Sequence, residues 1–198
     1  MVSEKSLLVM SHLVALLSIL VIVGARCVTL EQCEEIRLNA NYWKPDEYDA
    51  YNDADDIEDG LYLGNVCAAH NPGWLRKHNI TIIVNLAREW KEACLIPGYD
   101  IRHFNYVLDD SASEDENRTR HLFKEAAKTI ALFMKEKVTP VLVHCNMGIS
   151  RSASAVLTYL QQKYPRRSHR QLLRMIQARR PVTRPNDLFG RILTENEL

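Results

Sequence analysis

The chain has 198 residues, of which 46% are hydrophobic, and its 25 basic and 25 acidic residues cancel to a net charge of zero. That length suits one compact domain of about 100–150 residues with an appendage, not two full domains. The cancelled charge excludes a bulk field that would gather nucleic acid, so any anion must be recognised by local placement of side chains.

From the N-terminus, residues 7–25 (LLVMSHLVALLSILVIVGA) contain no Asp, Glu, Lys or Arg. The run predicts an N-terminal hydrophobic helix at the lower end of what crosses a hydrocarbon core of about 30 Å. Residues 1–25 therefore read as a hydrophobic anchor or signal segment. Ala25 offers the small residue a signal peptidase needs, whereas the length of the apolar run favours an uncleaved anchor. Lys5 precedes the run, and Arg26, Arg37 and Lys44 follow it. The positive-inside rule then places the rest of the chain in the cytosol, as a membrane-anchored domain with membrane association through residues 7–25. Residues 26–52 read as an acidic linker with a short helix near 30–38. The acids continue through Asp53, Asp55, Asp56, Glu58 and Asp59.

Residues 53–198 carry the folded domain. A short strand at 61–64 stops at Gly64, and a helix over 74–78 follows Asn71-Pro72. The β-branched run 80–86 predicts a buried strand, and 103–108 a third strand ending at Asp109-Asp110. Leu122, Phe123, Ala126, Ile130 and Phe133 recur at helical spacing over 117–137. A strand at 141–143 follows Pro140, and helices are expected over 152–163 and 168–179. Strands alternating with helices indicate an α/β single domain with a central, mostly parallel sheet flanked by helices.

Five cysteines (Cys27, Cys33, Cys67, Cys94 and Cys145) form no tight pairs. No spacing suggests zinc, so neither a metal nor a cofactor is expected, and a reducing compartment is the simpler reading. Cys67 and Cys94 read as small core residues, not as redox partners of Cys145.

The segment VHCNMGISRS, residues 143–152, holds the chemistry. A strand ends at His144, a loop runs from Asn146 to Arg151, and a helix rich in Ala and Ser begins near Ser152. A loop entering a helix N-terminus aims several backbone N–H groups at one place and binds a dianionic phosphate there. Gly148 permits the tight turn. Arg151 can grip two phosphate oxygens with its planar fork. The same field favours a thiolate at Cys145, a ready nucleophile towards phosphorus.

The pattern His144-Cys145-x-x-Gly148-x-x-Arg151-Ser152 resembles the signature of the protein tyrosine phosphatase superfamily. Leu61-Tyr62-Leu63-Gly64, the strand with Val84-Asn85-Leu86, and Arg180-Pro181 followed by Pro185-Asn186 are similar to the small dual-specificity phosphatases. The resemblance spans about residues 57–193. It implies a phosphocysteine intermediate on Cys145, with the amides of Asn146, Met147, Gly148, Ile149, Ser150 and Arg151 and the Arg151 side chain binding the substrate phosphate. It further implies that His144 orients the loop and that the Ser152 hydroxyl assists departure of the thiolate. The leaving oxygen needs a proton from an aspartate after the preceding strand. Asp110 is the first candidate, with Asp109 and Asp115 as alternatives.

The expected substrate is a phosphorylated protein, through phosphotyrosine and phosphoserine or phosphothreonine alike. A phosphoinositide or other non-protein phosphate monoester at a membrane is the alternative. The absence of lysine or arginine at positions 146, 147, 149 and 150 weighs against it. A non-catalytic phosphoresidue-binding module is a third reading, disfavoured because nucleophile and clamp are both present. The basic residues Arg166, Arg167, Arg170, Arg179, Arg180 and Arg184 read as a solvated helix face or as a patch for acidic substrates or lipid.

Overall fold

The computed structural model describes residues 28–41, 53–90, 96, 98–136 and 140–195. Its elements are α1 (Leu30–Asn41), β1 (Ala54–Glu58), β2 (Leu61–Gly64), α2 (Val66–Ala69), α3 (Pro72–Lys77), β3 (Ile82–Ala87), β4 (Arg102–Leu108), α4 (Glu116–Glu136), β5 (Val141–His144), α5 (Arg151–Lys163), α6 (His169–Gln177) and α7 (Asp187–Thr194). The sheet order is β1-β2-β5-β3-β4. Among the described residues only β1 runs antiparallel to its neighbour, so the expected mostly parallel α/β sheet is present.

β3 is buried at every position, which explains its unbroken apolar sequence, since a parallel sheet is covered on both faces. Alternate residues serve opposite layers. Ile82, Val84, Leu86, Val141 and Val143 pack with Phe123, Ile130, Val156 and Leu160 of α4 and α5. Ile83 and Leu142 pack instead with Ala68, Ala69 and Leu75 of α2 and α3. This sandwich fixes the C-terminal end of β5, where a chain leaving the sheet meets the start of α5.

Four elements depart from the sequence reading. The apolar run 7–25 lies outside the described residues, among which no helix is long and apolar enough to cross a membrane. The helix expected near 30–38 is present as α1, but it is docked to the domain instead of floating in a spacer. Cys33 is disulfide-bonded to Cys67, and Arg37 makes a two-pronged ion pair with Asp53 at 2.9 and 2.6 Å. Strand β1 was hidden by its acids. Ala54 and Ile57 are buried, while Asp55 pairs with Arg180 and Glu58 with Lys163. Helix α7 follows Asn186, whose side chain accepts from Phe189 N at 3.0 Å and caps it.

The reading of unpaired cysteines is corrected by the same bond. Cys67 is buried, as expected of a core residue, but it is joined to Cys33, 34 positions away. Cys145 is the free cysteine among the described residues; Cys27 and Cys94 lie outside them.

Candidate active site

The loop between β5 and α5 is shaped from outside by its carbonyls. Asn146 O accepts from Val66 N at 3.1 Å, Ile149 O from Arg184 N at 2.9 Å, and Ser150 O from Ser154 N at 2.9 Å. Arg180 donates from Nε to Gly148 O at 2.8 Å and from Nη2 to Met147 O at 3.2 Å. Peptide units whose carbonyls are held outward present their N–H groups to the interior, the arrangement of an anion-binding nest. Gly148 adopts a φ of 69°, and a Cβ there would lie 2.5 Å from Gly64 O, so the loop rests directly on the end of β2.

The start of α5 is left without a side-chain cap. Ser150 occupies the cap position, but its hydroxyl turns away to Asp110 Oδ1 at 2.8 Å. The first amides of α5 are thereby available to a ligand anion.

Cys145 lies at the base of this cradle, 1% exposed. Gly148 N and Ser152 Oγ both donate to its sulfur, each at 3.2 Å. His144 is buried beneath and reaches Cys145 O through Nδ1 at 3.2 Å. Burial, with the nearby charges of His70, His103 and Arg151, drives the His144 pKa down to about 3, so the ring is neutral.

Arg151 is buried, and its outer edge is held by Glu89, with Nη1 to Oε2 and Nη2 to Oε1 both at 2.7 Å. Nη1 also donates to Leu108 O at 3.2 Å. Its Nε has no hydrogen-bond partner among the described residues, and the nearest carboxylate oxygen, Asp110 Oδ2, is 3.6 Å away. Burial pushes the Arg151 pKa down, but its hydrogen bonds to Glu89 and the charges of Cys145, Glu89 and Asp110 raise it above the ordinary arginine value. For Glu89, burial favours the neutral acid, yet the Arg151 contacts outweigh it and hold the carboxyl below its ordinary pKa. The Nη groups are thus committed to Glu89, while the buried Nε is left without a hydrogen bond among the described residues.

The three candidate aspartates separate by position. Asp109 pairs with Arg88 at 3.0 Å, its side chain 56% exposed. Asp115 accepts from Arg118 N at 2.7 Å and caps α4. Asp110 lines the cleft with Ala112, Cys145, Asn146, Met147, Ile149, Ser150, Arg151 and residues 184–187, around a volume of about 510 Å³. Its Oδ1 accepts from Ser150 Oγ and from Asn186 Nδ2, both at 2.8 Å.

Comparison with known proteins agrees with this geometry. The family model "Dual specificity phosphatase, catalytic domain" matches residues 61–197. The chain belongs to the dual specificity phosphatase family. Human Protein phosphatase Slingshot homolog 3 is 37% identical over 139 residues, covering 67% of this chain and 19% of that protein. Dual specificity protein phosphatase 1 of Arabidopsis thaliana is 34% identical over 141 residues, 71% of this chain and 67% of that one. The chain thus spans about a fifth of the length of the Slingshot relative and 67% of the plant one. The crystal structure of human DUSP28 shares the fold, with a TM-score of 0.63 at 24% identity over 73% of this chain and 93% of that one.

Within the phosphatase domain, sequence reasoning missed the residues that hold the named ones in place. Glu89 and Trp90 follow β3, where Asn85 donates from Nδ2 to Trp90 O at 2.8 Å and fixes the turn. Trp90 Nε1 then donates to Asn146 Oδ1 at 2.8 Å. Arg180, grouped with the surface arginines, is 1% exposed and pairs with Asp55 at 2.7 Å. An acidic residue two positions after a buried strand was the available signal for Glu89, and it does not name Arg151 as its partner. For Arg180 no local signal distinguishes it from Arg179.

Proposed function

We infer that this chain is a cysteine-dependent protein phosphatase. It hydrolyses phosphotyrosine and phosphoserine or phosphothreonine through a phosphocysteine intermediate. The observation that carries the reading is the convergence on the Cys145 sulfur of two hydrogen-bond donors, a cradle of inward amides and the Arg151 Nε that has no hydrogen bond among the described residues. Substrate phosphate seats on the amides of residues 146–151 while Arg151 Nε takes an equatorial oxygen, and charge spread in the transferring group is met by donors already in place. Cys145 attacks phosphorus in line. Asp110, its Oδ1 occupied by Ser150 and Asn186, carries the proton on Oδ2 and gives it to the leaving oxygen. Water then attacks the phosphocysteine with Asp110 as base, and Ser152 Oγ–H stabilises the departing thiolate. His144 orients the loop through Cys145 O.

The protein-substrate reading is favoured over a phosphoinositide by the uncharged side chains at 146, 147, 149 and 150. Initial rates on phosphotyrosine peptides, phosphothreonine peptides and phosphoinositides, measured side by side, test it. Turnover of both peptide classes is expected, and activity on lipid alone would overturn it. We further propose that residues 7–25 tie the chain to a membrane with the catalytic domain in the cytosol, on the charges that flank the run. Protease protection of vesicle-inserted chain tests that, and a protected catalytic domain contradicts it.

A further inference from the structure

Helix α1 precedes the span matched by the phosphatase family model, yet it packs against the phosphate loop. Cys33 and Ile36 of α1 form one apolar cluster with Val66 and Cys67 of α2, and Met147 of the loop and Trp90 pack onto it. Val66 and Trp90 are also the two residues that hold Asn146, next to the nucleophile, through Val66 N at 3.1 Å and Trp90 Nε1 at 2.8 Å. The Cys33–Cys67 bond lies inside that cluster, and Arg37–Asp53 and a hydrogen bond from Val28 N to His70 Nδ1 at 2.9 Å secure the helix at its flanks.

We propose that the Cys33–Cys67 pair is a redox-modifiable site whose oxidised form clamps α1 behind the phosphate loop and whose reduction loosens the loop's hold on phosphate. The idea rests on the phosphatase reading for its consequence, but not for its chemistry. A dithiol reductant attacks one sulfur of the disulfide as a thiolate and forms a mixed disulfide; its second thiol then closes on the first. Two protein thiols and one oxidised dithiol result, with two electrons and two protons transferred. Cys33 and Cys67 are 7% and 2% exposed, so the attack requires α1 to lift, and once the bond is open only the noncovalent contacts hold the helix down. In a reducing compartment a disulfide is characteristically a redox-sensing or catalytic one, and this one does not involve the nucleophile.

The test uses the full chain with Cys27→Ser and Cys94→Ser, leaving Cys33, Cys67 and Cys145. The oxidised form is verified by peptide mapping of the Cys33–Cys67 link and titration of a single free thiol. Tungstate, a phosphate mimic, is titrated calorimetrically into this form and into protein reduced with dithiothreitol and then desalted under anaerobic conditions. The reduced protein is expected to bind tungstate at least about fivefold more weakly, with faster amide hydrogen exchange at residues 146–148. The Cys33→Ser/Cys67→Ser variant is expected to match the reduced protein under both conditions. Equal affinity and exchange in the two verified states, or failure of the link to form, would overturn the proposal. Because tungstate binding needs no turnover, redox-dependent binding without phosphopeptide hydrolysis would sink the phosphatase reading alone. Hydrolysis with redox-indifferent binding would sink the clamp alone.

Discussion

Replacing Arg180 with Met removes the donors that hold two loop carbonyls while keeping most of the side chain's bulk. It also breaks a buried ion pair, since the Arg180–Asp55 contact is 2.7 Å long with side chains 2% and 9% exposed. Deleting one partner of a buried pair costs about 3–5 kcal/mol. With a urea dependence of about 1–3 kcal/mol per molar for a domain of this size, the unfolding midpoint should fall by about 2 M. Part of that loss belongs to a buried carboxylate whose arginine has gone, so Asp55→Asn added to Arg180→Met should recover about 1–3 kcal/mol. The binding defect should behave differently. Met147 O and Gly148 O lose their donors in both variants, so their peptide units no longer have a reason to point inward. Tungstate affinity should drop at least about tenfold in the single variant and stay low in the double. Urea melts followed by tryptophan fluorescence, with calorimetric tungstate titrations on the folded fractions, read both effects. A single variant that loses less than about 1 kcal/mol, or a double variant whose tungstate affinity returns, would refute the division of Arg180 into a stabilising and a loop-setting half.

Glu89→Gln keeps the shape but removes the charge that holds the outer edge of Arg151, and kcat/KM on phosphopeptides should fall about tenfold with little change in melting temperature; unchanged kinetics would remove Glu89 from the site. Asp110→Asn should slow alkyl phosphates such as phosphothreonine far more than aryl phosphates with good leaving groups, and equal losses on both would move the proton donor elsewhere. Acid should destabilise the fold through its histidines. Burial holds His144 near pKa 3 and His70 near 4 in the folded chain, against about 6.5 unfolded. As pH falls below about 6.5 the unfolded chain takes up protons that the folded chain refuses, so stability declines by up to about 1.4 kcal/mol per pH unit for each histidine and is independent of both above about pH 7. Urea midpoints between pH 7 and 4.5 check this, and a His144→Asn variant should show the shallower slope.

What was legible in the sequence was local. β3 announces itself because a strand covered on both faces must be apolar throughout, and α4 because Phe123, Ala126, Ile130 and Phe133 share one stripe. The phosphate loop was legible because strand, glycine, arginine and helix start are contiguous. The supports were not, because each is a contact between distant segments. Arg151 meets Glu89 across 62 positions and Arg180 meets Asp55 across 125. Strand β1 reads as acidic spacer until Arg180 and Lys163 are seen to neutralise its Asp55 and Glu58. Cysteine spacing carries no pairing information at a separation of 34, so Cys33 and Cys67 passed for unrelated thiols. What holds Asp110 in the cleft, the hydroxyl of Ser150 and the amide of Asn186, is connected to β4 by neither sequence order nor spacing.

The central claim is that Cys145 carries the phosphoryl group. A single-turnover reaction with phosphopeptide labelled in its phosphate, quenched in acid within milliseconds and mapped by mass spectrometry, should find label on Cys145 that appears and decays at the rate of turnover. Label on another residue, or hydrolysis with no protein-bound label at any time, would contradict it.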